Sequence, residues 1–457
     1  MTQTLVSVVA AFMYLLREPS AAALVIALGV FLNLPYILPA YHDLDFVLAA
    51  LLALAAGTLR CTHYLGTLRA VAPRDYAAAI FIWLASTLVS VAFSNRPDIA
   101  YEVFRTVLPY VVLSVMLVAL VTDLKTMSLL FSGLIVATSG LALLALVQWT
   151  LDLGHLDFGG LAIGELAHIS GDINEIRPGG PVEDANFFAA YLLPGTILAL
   201  ARFFAVRQSG TRIFYAVAAV LSMAGIFLTA SRGALGALGL GLVLLLLLER
   251  KIWPWVTSAV LALVLVSAFP PAYVERFGQT FSLASVQQSG AALAPIEDEA
   301  LAGRLGSMIA AAQMFARQPL TGVGYGQYET NFQTYVAQHD LRMRNEDRGA
   351  HSLYLEIASE TGVIGLAAFG IVLLLGARNM GRLASALRQH GDHAAYLDVR
   401  GYAVAIITLL AAHTFLHDAK AHYIWLFVSL MYASPRTSRR PPRQEPQVDP
   451  RNAVSGK

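Results

Sequence analysis

The sequence predicts an all-α, polytopic membrane protein with about 12 transmembrane helices and a helical loop domain on one side. Three observations carry that reading. Apolar residues make up 57% of the chain and charged residues 13%, where soluble proteins average about 45–50% and 25%. The apolar residues gather into runs close to the roughly 20 residues that cross a bilayer. Arg and Lys then concentrate in alternate connecting segments, as a fixed orientation in a membrane requires.

In chain order, residues 1–20 are a cytoplasmic or interfacial lead-in. Its apolar run 5–16 is short and ends in Arg17-Glu18-Pro19, which does not suit a cleaved signal peptide. The expected spans are 21–39, 44–60, 76–93, 103–121, 127–149, 186–206, 212–229, 233–249, 252–269, 353–377, 399–416 and 420–434. The first nine occupy 21–269 and leave an outer loop at 150–185. A large outer loop domain follows at 270–350, then three more spans within 351–434. The tail 435–457 is Pro-rich and basic and reads as a disordered cytoplasmic end able to touch anionic lipid.

Orientation follows from the cations. With the N-terminus inside, the inner segments hold Arg17, Arg60, Arg69, Arg74, Lys125, Arg202, Arg207, Arg212, Arg250, Lys251, Arg378, Arg382, Arg388, Arg400 and the basic residues of the tail. The short outer segments hold only Arg96, Arg105, Arg177, Arg232 and Lys420. Both termini are therefore expected inside and the long loop outside. The net charge of +1 gives no bulk attraction to nucleic acid, and the single cysteine, Cys61, excludes an intrachain disulfide.

The polar residues worth weighing lie at the outer edge, most densely between Gly303 and Gly365. There an amphipathic helix opening at Arg304 is stopped by Gln318-Pro319, and the chain reverses through Gly322-Val323-Gly324-Tyr325-Gly326. A second amphipathic segment carries Tyr328, Phe332, Tyr335 and Val336. Arg348 and His351 then precede a helix expected to run on into the apolar residues 363–375.

Each candidate has two readings. Arg232 follows a break between apolar runs, where it either faces an anion or snorkels to head groups; Gly233 beside it would admit a bulky anion. Arg177 and Asn186 lie in a Gly/Pro turn entering a span, with Asn186 as a helix cap or both as ligands. Arg304 at a helix start opposes the dipole, which suggests a role but also suits a surface arginine. At a helix start His351 would be held neutral and able to accept a proton, or would be merely interfacial. Glu356 and Glu360 lie about 140° and 180° round from it, where they would keep the first turns above the hydrocarbon.

The stretches "GVGYGQYETNF" and "HSLYLEIASETGVIG", with "RPGGPVEDANFFAAYLLP" and "TASRGALG", resemble the O-antigen ligase and polymerase-like family of bacterial membrane glycosyltransferases. The resemblance covers roughly residues 170–380, and departs from the family at Ser352, where Asn often follows the motif His. It implies transfer of a glycan from an undecaprenyl diphosphate carrier to an acceptor sugar hydroxyl, with inversion and without metal or other cofactor. The setting would be the periplasmic face of the inner membrane, and the acceptor lipid A core or a growing glycan. It assigns His351 as general base and Arg232 and Arg304 to the diphosphate. Arg177, Asn186, Arg348 and Tyr325, in or beside these motifs, are the candidate substrate-binding residues.

Alternatives remain at this point. A polymerase joining lipid-linked repeat units would share the donor chemistry. Asp43 and Asp45 form an acidic pair at the first outer turn, of the kind that could hold a metal. His413, His417 and His422, with Asp418, cluster at the last outer turn, with 413 and 417 on one helix face. A transporter or flippase is disfavoured, because the span interiors are nearly free of charge.

Overall fold

A computed structural model of the chain describes residues 14–37, 45–61, 74–170, 173–249, 299–338, 349–417, 422–433 and 435. The expected ninth span at 252–269, Arg348, Asp43, Asp418, most of the lead-in and all but one residue of the tail lie outside the described residues.

The described chain is mostly helical. Its helices are α1 (Pro19–Phe31), α2 (Asp45–Cys61), α3 (Arg74–Ala92), α4 (Pro97–Leu120), α5 (Leu124–Thr150), α6 (Ala185–Ala205), α7 (Ser209–Leu228) and α8 (Arg232–Glu249). These are followed by α9 (Glu299–Arg317), α10 (Tyr328–Gln338), α11 (Leu353–Gln389), α12 (His393–Ala412) and α13 (His422–Leu430). Among the described residues, 7 helices are long and apolar enough to cross a membrane: α3 to α7, α11 and α12. α1, α2 and α8 are apolar but shorter, and α13 has 9 residues. Within the expected first span over 21–39, α1 ends at Phe31, buried Asn33 at φ 54 turns the chain, and a short helical turn follows at Leu34–Ile37.

Helices satisfy their own backbone groups, which is why apolar runs in lipid adopt them. Their ends follow local chemistry. Pro19 and Pro97 open α1 and α4 at first-turn positions. Asp123 and Asp392 accept from the amides of Thr126 and Ala395 to cap α5 and α12. The middle of the bundle is α6, with 83% of its apolar window buried against protein. It packs on α5, α7, α8 and α12. Gly195 allows the closest of these approaches, since a Cβ there would sit 2.0 Å from Thr138 Oγ1.

The all-α expectation needs one correction. Within the outer loop 150–185, strands β1 (Ile163–Ser170) and β2 (Ile173–Gly180) form an antiparallel hairpin with Glu165 opposite Arg177. Gln148 Nε2 at the end of α5 donates to the carbonyls of Ala162 (2.7 Å) and Leu156 (2.8 Å). Asn33 Nδ2 donates to the carbonyl of Pro181 at 2.8 Å. The hairpin is thereby fastened to one end of the bundle.

The other end is marked by Arg202 of α6, which donates to Asp398 Oδ2 at 2.7 Å, Ser132 Oγ at 2.6 Å and Ser128 Oγ at 2.9 Å. Arg382 of α11 also pairs with Asp75 of α3 at 3.0 Å. These two pairs tie α6 to α12 and α11 to α3.

α9 and α10 form a small unit with its own core of Ala310, Ala311, Met314, Val323, Tyr328 and Phe332, packed on Leu355 of α11. α11 is not the continuous helix expected. Gly362, at φ 65 and ψ −164, breaks it into 353–361 and 363–389. Only a residue without Cβ adopts that conformation readily.

Candidate active site

Four connections meet at the hairpin end: the turn from α7 to α8, the entry to α6, the lead into α11, and the turn after α12. Arg177 in β2 ties the first two. It is 4% exposed, and its Nε donates to the carbonyl of Thr229 at 2.7 Å while Nη2 donates to Asn186 Oδ1 at 3.3 Å. Asn186 is not the cap of α6. That role belongs to Asp184, whose Oδ1 accepts from the amides of Asn186 (2.7 Å) and Phe187 (2.9 Å). Glu165 Oε2 takes the amide of Ala185 at 2.9 Å. With the amides served by carboxylates, the Asn186 side chain is left to hold Arg177.

Three residues beyond Thr229, Arg232 opens α8, half-buried. The turn before it passes through Ala230 at φ 50, a left-handed conformation that costs a non-glycine residue about 1–2 kcal/mol. A Cβ on Gly233 would meet Phe415 at 3.6 Å, so the turn after α12 lies directly over the start of α8.

His351 is half-buried just ahead of α11 and is also left-handed, at φ 48. Its ring meets the edge of His417 at a centroid separation of 5.4 Å, and His417 meets Phe187 at 5.1 Å. The amide of Leu353 donates to the carbonyl of His413 at 3.0 Å. A continuous series therefore runs from His351 through His417 and Phe187 to Asn186, Arg177 and the turn carrying Arg232. Among the described residues, His351 and Ala230 are two of six non-glycine residues at positive φ, a costly conformation that persists where the surrounding structure imposes it.

Arg304 is carried by a different element. It lies in the second turn of α9, which begins at Glu299, so the expectation that Arg304 opposes the dipole at the helix start is corrected. α9 packs against α11, and Tyr328 Oη of α10 donates to the carbonyl of Ser307 at 2.8 Å. Burial pushes the Tyr328 phenol above its ordinary range, so it stays a donor. Tyr325 is buried in the main core rather than displayed in a cleft.

The carboxylates of α11 are also placed differently from the sequence expectation. Glu356 and Glu360 are both buried, not held at the surface above the hydrocarbon. Sequence reasoning missed Glu360 as a structural group; its carboxylate accepts from the amides of Gly326 (2.8 Å) and Tyr328 (3.1 Å).

The histidine cluster does not converge. α12 ends at Ala412, so His413 and His417 share no helix face. His413 Nδ1 donates to the carbonyl of Leu409 at 2.8 Å, and Nε2 accepts from Tyr423 Oη at 2.9 Å, which occupies both ring nitrogens. His422 stacks on Tyr110. Among the described residues no group of three or more His, Cys, Asp and Glu side chains is arranged to hold a metal ion.

Residues 217–370 match the family model described as O-antigen ligase. The motif resemblance is thus an O-antigen ligase-like one over this stretch, about a third of the chain. No curated protein matches the sequence. The matched stretch contains Arg232, Arg304, Tyr325, His351 and Glu360, while Arg177, Asn186 and His417 lie outside it. With the apolar helices, the match supports a multi-pass membrane protein of O-antigen ligase or polymerase type. Such proteins are glycosyltransferase-like enzymes with lipid-linked glycan substrates.

Proposed function

We propose that this chain transfers a glycan from undecaprenyl diphosphate to an acceptor sugar hydroxyl at the periplasmic face of the bacterial inner membrane. The observation that supports it most is the packing of His351, through His417 and Phe187, onto the Arg177–Asn186–Thr229 junction that sets the turn before Arg232. In this reading His351 as base and Arg232 as anion-binding group act at the same end of the bundle.

In this reading His351 accepts the proton of the acceptor hydroxyl as its oxygen attacks the anomeric carbon. The bond from that carbon to the diphosphate oxygen breaks, and the carrier diphosphate leaves with the electron pair. Attack opposite the leaving group inverts the configuration. The guanidinium groups of Arg232 and Arg304 stabilise the departing charge, and their planar forks suit phosphate oxygens better than an ammonium does. Arg348 is an additional donor candidate from the same lead into α11. The residues invoked require no metal or other cofactor.

The test uses purified protein and a labelled undecaprenyl diphosphate-linked repeat, offered either lipid A core or a second lipid-linked repeat as acceptor. Labelled lipid A core indicates the ligase, and a lengthened lipid-linked glycan the polymerase. Arg232→Lys and Arg304→Lys should each slow transfer, the alanine variants more so, and the paired losses should fall short of additive. Fully additive losses, or transfer to neither acceptor, would count against the shared diphosphate site.

A further inference from the structure

The break in α11 is filled by another part of the chain. Around Gly362 the carbonyls of Ser359 and Glu360 lose their partners within the helix, as do the amides of Val363 and Ile364. The turn between α9 and α10 supplies all four. The amide of Val323 donates to Ser359 O at 2.8 Å and that of Gly324 to Glu360 O at 3.1 Å. The amides of Val363 and Ile364 donate to the carbonyls of Pro319 (2.7 Å) and Leu320 (3.4 Å). Ser90 Oγ at the end of α3 adds a bond to Glu360 O at 2.6 Å. The fit is close enough that a Cβ on Gly322 would sit 2.3 Å from the carbonyl carbon of Glu360.

At the centre of this junction Glu360 is 1% exposed. A buried carboxylate is stable only where donors replace its water. Here the amides of Gly326 and Tyr328 do so, at the start of α10, where the helix dipole also favours negative charge. Tyr328 in turn holds α9 through Ser307, three residues from Arg304. Glu360 itself is the penultimate residue of the nine-residue segment of α11 that begins two positions after His351.

We infer that Glu360 is a positioning residue: its carboxylate fastens the α9–α10 unit, and with it Arg304, to the segment of α11 that carries His351. The inference rests on the proposed roles of those two residues. Its physical content is that one buried carboxylate, added to the backbone bonds around Gly362, fixes the spacing between base and diphosphate arginine. The amide of a Gln could accept one of the two N–H bonds, but its NH2 would be turned against the other donor. Glu360→Gln therefore preserves shape and the backbone bonds around Gly362 but loosens the carboxylate's hold on the start of α10.

The test pairs a rate with a distance. In the full chain with Cys61 replaced, spin labels at Thr334 on α10 and Leu374 on α11 report how firmly the unit is held. Glu360→Gln is expected to broaden the distance distribution and to lower transfer about 10- to 100-fold, since small misplacements near a reacting centre cost that much. The Michaelis constant for donor should change little. An unbroadened distribution overturns the inference whatever the rate does. Broadening with an undiminished rate, in a protein whose His351→Ala variant is inactive, overturns it as well. An active His351→Ala variant instead refutes the proposed function and leaves the distance result to judge the fastening. Should Glu360→Gln not accumulate as folded protein, Glu360→Asp carries the same test, because a carboxylate one methylene short cannot reach both amides.

Discussion

His351 and His417 meet edge to face, with ring centroids 5.4 Å apart, beneath a backbone that Gly349 keeps clear. A Cβ on Gly349 would sit 2.0 Å from His417 Nε2. Gly349→Ala should therefore displace the His417 ring and, through it, His351. Overpacking of this kind costs about 1–3 kcal/mol, and the expected outcome is a loss of transfer with retained fold. Adding His417→Ala makes room, so the double variant should recover part of the rate lost in Gly349→Ala. Initial rates of glycan transfer check this.

Arg177 is expected to act through structure. Its guanidinium spans Thr229 and Asn186, which a lysine cannot do from one nitrogen at the same geometry. Arg177→Lys should cost about 1–3 kcal/mol, the penalty of leaving a buried acceptor unserved. Asn186→Ala should cost less, and the double variant should cost less than the sum. Melting of the detergent-solubilised protein measures all three.

How much of this was legible in the sequence depends on the kind of interaction. The apolar runs announce helices because each must satisfy its own backbone in lipid, and α3 to α7 fall close to their expected places. The motif arginines and His351 were visible as polar residues at span ends. The hairpin was not, because residues 163–180 mix Gly, Pro and polar side chains without a sustained alternation. Glu360 was read as a surface carboxylate because its partners are backbone amides 32 and 34 residues earlier in the chain, and amides leave no mark in composition. The available signal was Gly322 and Gly362 together, two glycines where two backbones cross.

The end of the bundle opposite the hairpin supplies a control. Arg202 and Asp398 are 6% and 16% exposed at their side chains and joined at 2.7 Å. Asp398→Ala strands a buried guanidinium, a change that typically costs about 3–5 kcal/mol. Melting should fall accordingly, while transfer per folded molecule stays close to the parent value. A selective loss of rate would tie this end to the chemistry.

The central claim is that His351 takes the acceptor proton, and one measurement reaches it directly. Single-turnover transfer from a labelled undecaprenyl diphosphate-linked glycan is followed in His351→Ala, alongside binding of the same donor. General-base catalysis contributes about 10²- to 10⁴-fold, so the account predicts a loss of that order in the transfer step, with donor affinity unchanged. Transfer by His351→Ala at the parent rate would contradict it.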